Sequence, residues 1–238
     1  MACIQLMQKQ TGLGIWCSTN TLNKSELASL AQKVEQKGYT TLWYPESLSF
    51  ECFALGGFLL SQSNSLTVAS GIANIYARDP VTASQGYDSL NHFYPSRFLL
   101  GLGVSHVPLV ENARGHQYGK PVTTMRKYLN DMETSNIDAT IESKERSIVL
   151  AALGPKMLKL AAAKAKGALP YCVTPSHTAE ARSIMGPGQW LCVEQKICFT
   201  DDAATGREVG QKQMTRYMNC LLYTSDAADE GLGVDLGG

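Results

Sequence analysis

The segment Leu66–Gly103, LTVASGIANIYARDPVTASQGYDSLNHFYPSRFLLGLG, contains one complete strand–helix–strand unit, and its reading decides the fold. Leu66 to Tyr76 is an apolar run of strand character with Gly71 inside it. Asp79-Pro80 follows as an N-cap with proline at the first helical position, where its missing N–H costs nothing. Ala83, Tyr87, Leu90 and Phe93 then recur at helical spacing, Pro95 stops the helix, and Arg97 to Gly103 returns to an apolar strand. Strands that are apolar along their whole length and joined through a helix are parallel and buried on both faces.

The same unit repeats on either side. Leu13 to Cys17 reads as a strand, and Asn23 with Glu26 forms a capping-box start. Leu27, Leu30, Ala31 and Val34 supply the apolar face of the helix that follows, and Gly38 ends it. Thr41 to Tyr44 is the next strand, and Phe53 to Leu60 a compact apolar helix. Downstream, Val122, Met125, Leu129 and Met132 mark a helix over 121–132. Ile148 to Leu153 is a strand, and Pro155 to Lys166 a helix closed by Gly167. A strand over Ala168–Val173, a helix from about Ser176, a strand over Leu191–Phe199 and a helix from about Asp202 complete the series. Residues 133–147 show no element and read as loop.

Seven strands alternating with about seven helices fit two α/β architectures, a doubly wound sheet or a (β/α)8 TIM barrel. The dinucleotide fingerprint fails in both candidate places. Gly12-x-Gly14 and Gly101-x-Gly103 each reach a sixth position occupied by Cys17 or His106 instead of a small residue. The barrel is favoured. Such barrels typically need about 250 residues, so the expectation is a C-terminally truncated barrel whose eighth βα unit is missing.

The 238 residues carry 21 Lys+Arg against 21 Asp+Glu, and 44% are apolar. That balance, with no basic block, gives no electrostatic reason to expect nucleic acid or an anionic membrane as partner. No apolar run reaches a membrane-spanning length, and Met1 to Gln10 lacks the features of a secretion signal. Seven cysteines without Cys-x-x-Cys spacing suit thiols in a reducing compartment, so the expected location is cytoplasmic. Cys172, Cys192 and Cys198 fall on strand patterns and read as core fillers, and His177, at a helix start, reads as surface.

The tail is anomalous. Residues 220–238 hold Asp226, Asp229, Glu230 and Asp235 and no basic residue, so residues 1–219 carry 21 basic against 17 acidic groups, a formal +4. Cys220 to Glu230 resembles the translation of a transposon-based sequencing adapter. The expected organisation is therefore one incomplete barrel domain over 1–219 and a non-native tail over 220–238.

Active sites of such barrels lie at the C-terminal ends of the strands. Glu46 follows the second strand. Gly71 weakens the third strand unless a bulge or a closely approaching ligand requires it. Asn74, Tyr76 and Arg78 continue past that rim, and Asp79 is the helix cap. After the fourth strand comes a long polar loop, Val104 to Lys120, with Ser105, His106, Glu111, Arg114, His116, Tyr118 and Lys120. Long loops at this end are usually functional. His106 is the first candidate for proton delivery. The ten-residue separation of His106 and His116 fits no metal motif, so no metal is expected. The fifth strand runs into Leu153-Gly154-Pro155-Lys156, where a helix N-terminus offers amides and a lysine to a phosphate.

Taken together, Leu42 to Glu46, Ala69 to Pro80, Tyr94 to Pro108, Arg114-Gly-His116 and Val149 to Met157 resemble the luciferase-like monooxygenase superfamily. Within it they look closest to the branch dependent on the deazaflavin coenzyme F(420). The resemblance implies a TIM barrel and a non-proline cis peptide at Gly71-Ile72 backing the coenzyme ring, with Asn74 beside it. It also implies a contact from Glu46 to that ring, and a backbone cradle at Leu153, Gly154 and Pro155, with Lys156, for the coenzyme phosphate. Ser105, Arg114, His116 and Tyr118 fall where substrate and lid contacts are expected, and Glu46 and His106 are the catalytic candidates. The implied activity is hydride transfer between coenzyme F(420) and a small organic substrate, in a protein whose full-length form is often a homodimer. With FMN as coenzyme the activity would be that of a luciferase-like monooxygenase. A third reading is an inactive fragment, since without an eighth strand the first and seventh keep unpaired edges.

Overall fold

A computed structural model describes residues 12–135, 137 and 145–222, with side chains to 215. The sheet is wholly parallel. Its strands are β1 (Gly14–Trp16), β2 (Thr41–Tyr44), β3 (Thr67–Ser70), β4 (Ala73–Asn74), β5 (Phe98–Gly103), β6 (Ile148–Leu150), β7 (Gly167–Ala168) and β8 (Trp190–Leu191). The order is β1-β2-β3-β5-β6-β7-β8, with β4 pairing β5 alongside β3. β3 and β4 therefore share one strand position, and seven positions alternate with α1 (Lys24–Gln36), α2 (Cys52–Ser61), α3 (Pro80–Phe93), α4 (Pro121–Glu133), α5 (Pro155–Lys164), α6 (Pro175–Met185) and α7 (Ala203–Leu222). Among the described residues this is the (β/α)8-barrel architecture lacking one of its eight strand positions, as the sequence implied.

Side-chain alternation along each strand separates two cores. Leu42, Tyr44, Val68, Phe98, Leu100, Ile148 and Leu150 point outward and pack under the helices. Trp43, Ala69, Leu99, Val149, Leu169 and Trp190 point inward, with Trp16, Ile72 and Cys192 against them. All three tryptophans of the chain thus fill the interior. The curl brings the two ends of the sheet together: β1 and β8 are not paired, yet Trp16 and Trp190 belong to the same inner cluster. Behind β8, Lys196 places its ammonium 4.1 Å from the Trp16 ring centre.

The starts of the helices follow their sequences. The Asn23 side chain accepts from Ser25 and Glu26 amides while Glu26 reaches back to the Asn23 amide at 2.8 Å, completing the capping box. Asp79 caps α3 through the Thr82 amide at 2.9 Å. Gly38, at φ +79°, ends the first helical segment as the sequence implied.

Several expectations are corrected. The run Leu66–Tyr76 is not continuous but breaks between Ser70 and Ala73. The last two predicted strands shrink to two residues each, extended only by an isolated bridge between Tyr171 and Glu194. The loop after β5 contains a π-helical turn, Pro108–Asn112. Cys198 is exposed and Cys172 half-buried; Cys192, facing the interior, is the one whose thiol is pushed up to about 12 by burial. Residues 136 and 138–144 of the predicted loop and 223–238 of the predicted tail lie outside the described residues. Among the described residues no helix is long and apolar enough to cross a membrane.

Candidate active site

The break in the third strand position is held by groups from β1, β2 and β5. The Gly71–Ile72 peptide is cis, at the position the resemblance implied. The Gly71 amide donates to Tyr44 O at 2.7 Å, and the Ile72 carbonyl accepts from the Glu46 amide at 3.2 Å. From β1, the Trp16 indole N–H donates to the Gly71 carbonyl at 2.9 Å. A Cβ on Gly71 would come within 2.8 Å of that indole nitrogen. In the direction a Cβ would take, Gly71 is therefore faced by the protein's own Trp16. From β5, Gly101 lies so close that a Cβ there would sit 2.0 Å from the Ser70 carbonyl, while Ser70 Oγ accepts from the Gly101 amide at 2.9 Å.

Glu46 belongs to the same structure. Arg78 reaches both its oxygens, through Nη2 to Oε1 and through Nη1 to Oε2 at 3.0 Å, and the Asn74 amide donates to Oε2 at 2.8 Å. Only 3% of the Glu46 side chain and 7% of the Arg78 side chain is exposed. Arg78 also donates to Glu51 at 3.0 Å and lies over the Phe53 ring. Burial by itself would lower the Arg78 guanidinium, but the hydrogen bond and charge of Glu46 outweigh it and raise it. With both its oxygens engaged by Arg78, Glu46 also holds the Asn74 amide beside the strand break. Asn74 is likewise buried, its side-chain oxygen accepting from the Tyr76 amide at 2.9 Å.

The loop after β5 folds back over this break. Tyr76 stacks on Tyr118, ring centres 5.7 Å apart, and lies tilted against exposed His116 at 6.5 Å. Tyr76 Oη accepts from the Gly119 amide at 2.8 Å, and the Tyr118 hydroxyl donates to the Ser105 carbonyl at 3.2 Å. Ser105 itself takes a left-handed φ of +61°. His106 is half-buried, its Nδ1 buried without a partner among the described residues, and burial lowers its pKa from the ordinary 6.5. Arg114 is half-buried and makes no hydrogen bond or ion pair among the described residues.

Further round the same rim, past β5, Leu153 and Gly154 turn β6 into α5. Gly154 is the N-cap, Pro155 the first helical residue, and no side chain caps the helix. The Gly154 amide is buried and without a partner among the described residues. Lys156 is exposed at the start of the helix. His177, expected at the surface, is half-buried, and its Nε2 lies 2.7 Å from the Leu153 carbonyl.

The model of the luciferase-like monooxygenase family matches residues 9–185. The chain belongs to that family. Among curated relatives, this luciferase-like chain is 26% identical over 118 residues to a Mycobacterium tuberculosis protein named as a coenzyme F(420)-dependent oxidoreductase. It is 24% identical over 161 residues to the 5,10-methylenetetrahydromethanopterin reductase of Methanolobus tindarius. The matches cover 50% and 60% of the chain but 33% and 49% of those relatives, so the chain spans at most about half their length. Among solved structures, a coenzyme F(420)-dependent tetrahydromethanopterin reductase from Methanopyrus kandleri superposes with a TM-score of 0.65 at 17% identity, covering 83% of this chain and 69% of that one. An FMN-bound Baeyer–Villiger monooxygenase of Pseudomonas putida gives 0.59 at 14%, covering 75% and 62%. At such identities these two likenesses show the fold.

The luciferase-like barrel thus gathers the candidate residues in two groups. Glu46, Gly71, Ile72 and Asn74 meet at the strand break, with Ser105, His116 and Tyr118 around Tyr76 beside them. Leu153, Gly154, Pro155 and Lys156 form the second group, further round the rim after β6. Trp16, Tyr76, Arg78 and His177 were not among the candidates. Arg78 had a signal, being one of three polar residues continuing the third strand beyond its rim. Trp16 had none, because an aromatic residue in a short buried strand reads as core.

Proposed function

We propose that the protein is an oxidoreductase that moves a hydride between the deazaflavin coenzyme F(420) and a small organic substrate. The observation that supports this best is a conjunction on one rim: a strand break tied in place from β1, β2 and β5, and further round it a buried glycine, Gly154, whose amide is unpartnered among the described residues at the uncapped start of α5. A flat ring needs the first, and an anionic side arm needs the second. The deazaflavin choice is supported by the names of the matched relatives.

When bound, the coenzyme supplies two-electron hydride chemistry. The residues of the chain do the rest. Trp16 fixes the Gly71 carbonyl, the Glu46 carboxylate paired with Arg78 fixes the Asn74 amide, and the Glu46 amide fixes the Ile72 carbonyl, so the wall facing the ring is already organised before binding. Leu153, Gly154 and Lys156 take the phosphate. Tyr76, Tyr118 and His116 form the aromatic border on the substrate side, with Arg114 and Ser105 close by in the same loop. His106 holds or gives up the proton that accompanies the hydride. Its lowered pKa keeps it neutral at pH 7 in the free protein.

FMN is the competing coenzyme, and the FMN-bound neighbour favours it as a second reading. Reconstitution decides between them. Absorbance titration with F(420) and with FMN is expected to give the tighter dissociation constant for F(420). Tight retention of FMN, with oxygen consumed by the reduced protein, would establish the monooxygenase instead.

A further inference from the structure

We propose that His177 is a positioning residue for the anion-binding turn. It holds the Leu153 carbonyl toward α6, so that the Gly154 amide faces the other way as a donor for the phosphate ester of the coenzyme. This rests on the coenzyme reading above and adds to it a residue from a different helix.

The peptide plane between Leu153 and Gly154 couples the two groups. Among the described residues the Leu153–Gly154 bond is not one of the cis peptides, so its C=O and N–H point in opposite directions. A carbonyl only accepts, so the 2.7 Å contact requires a proton on His177 Nε2. Fixing that carbonyl against α6 fixes the direction of the Gly154 N–H at the same time. The amide so directed has no partner among the described residues.

The bond has no other evident use. α6 is capped by its own residue, Thr174, whose hydroxyl accepts from the His177 amide at 3.2 Å. α5 receives nothing from it either, since the bond ends on the Leu153 carbonyl, an acceptor that precedes the N-cap. The contact spans 24 residues and joins two neighbouring helix starts that pack together. Without it, the plane between Leu153 and Gly154 could turn about its flanking bonds, and the amide would turn with it. A buried N–H without an acceptor is costly, and a phosphate oxygen removes that cost.

Four ligands separate this role from a general one: FMN and riboflavin, and F(420) and its phosphate-free deazaflavin nucleoside. Dissociation constants are measured for each with the unaltered chain, His177→Leu and His177→Gln. The unaltered chain is expected to prefer the phosphorylated member of each pair. His177→Leu is expected to shrink that preference by about tenfold, with phosphate-free affinity changed by less than about twofold. His177→Gln, which keeps an N–H near the Nε2 position, is expected to retain most of the preference. A preference left intact in His177→Leu overturns the role of His177 alone. So does equal weakening of both members of a pair, or a Gln variant as impaired as the Leu variant. An unaltered chain that does not distinguish the members overturns the phosphate turn, and this proposal with it.

Discussion

The two sides of the barrel mouth differ in how their polar groups are used. From β2 to β5, nearly every group near the break has a partner: Glu46 with Arg78 and Asn74, Gly71 with Trp16 and Tyr44, Ser70 with Gly101. From His106 round to α6, donors and acceptors are left over. His106 Nδ1, His177 Nδ1 and the Gly154 amide are buried without partners among the described residues. A saturated wall keeps its shape without a ligand. An unsaturated one carries a desolvation cost that a ligand can relieve. In the proposed reaction the saturated side shapes the mouth, and the unsaturated side is assigned recognition and proton movement.

The largest expected effect comes from breaking the saturated side. Arg78→Met leaves the buried Glu46 carboxylate without its counter-charge and should destabilise the fold by about 3–5 kcal/mol in denaturant melts. The Gly101→Ala change tests the close approach of β5 to β3. Its methyl would lie 2.0 Å from the Ser70 carbonyl, which is backbone and can move only with the sheet. Overpacking of this kind costs about 1–3 kcal/mol, and melting should show at least that.

The unsaturated side should respond differently. His106→Gln removes a side chain with one unpartnered nitrogen, so stability should change by less than about 1 kcal/mol. What should change is the pH profile. With its pKa lowered below 6.5 by burial, His106 is protonated only in acid. If it donates the proton, kcat/KM falls by about tenfold per pH unit above that lowered value, and the Gln variant loses this alkaline limb. The same lowering has a stability sign. The unfolded chain takes up the proton first, so folding stability decreases as pH drops through 6.5 toward the folded value, and levels off below it. A profile unchanged in the Gln variant removes His106 from the chemistry and leaves the contrast between the two sides without its proton.

The contrast also explains what could be read from the sequence. Alternation of apolar strands with capped helices is a local signal, and Asn23, Asp79 and Gly38 act locally as their types imply. The candidate positions on the rim were legible for the same reason, because strand ends are legible. Partners across the barrel were not. The indole of Trp16 reaches Gly71 over 55 residues, Arg78 reaches Glu46 over 32, and His177 reaches Leu153 over 24. Such pairs depend on register and curvature, which periodicity does not encode. Glu46 is the instructive case. Its position suggested contact with a ring, but its surroundings make it half of a buried ion pair. The short late strands were misjudged in the other direction, because apolar residues after Leu191 read as strand although Ile197 and Phe199 are exposed.

The central claim is that one coenzyme spans both sides, its ring at the strand break and its phosphate at the start of α5. Amide hydrogen exchange with and without saturating coenzyme tests this directly. Binding is expected to slow exchange in two separate places, Ile72 to Ile75 and Gly154 to Met157, with the phosphate-free form slowing only the first. Saturation with either F(420) or FMN that leaves both segments unchanged would contradict the account.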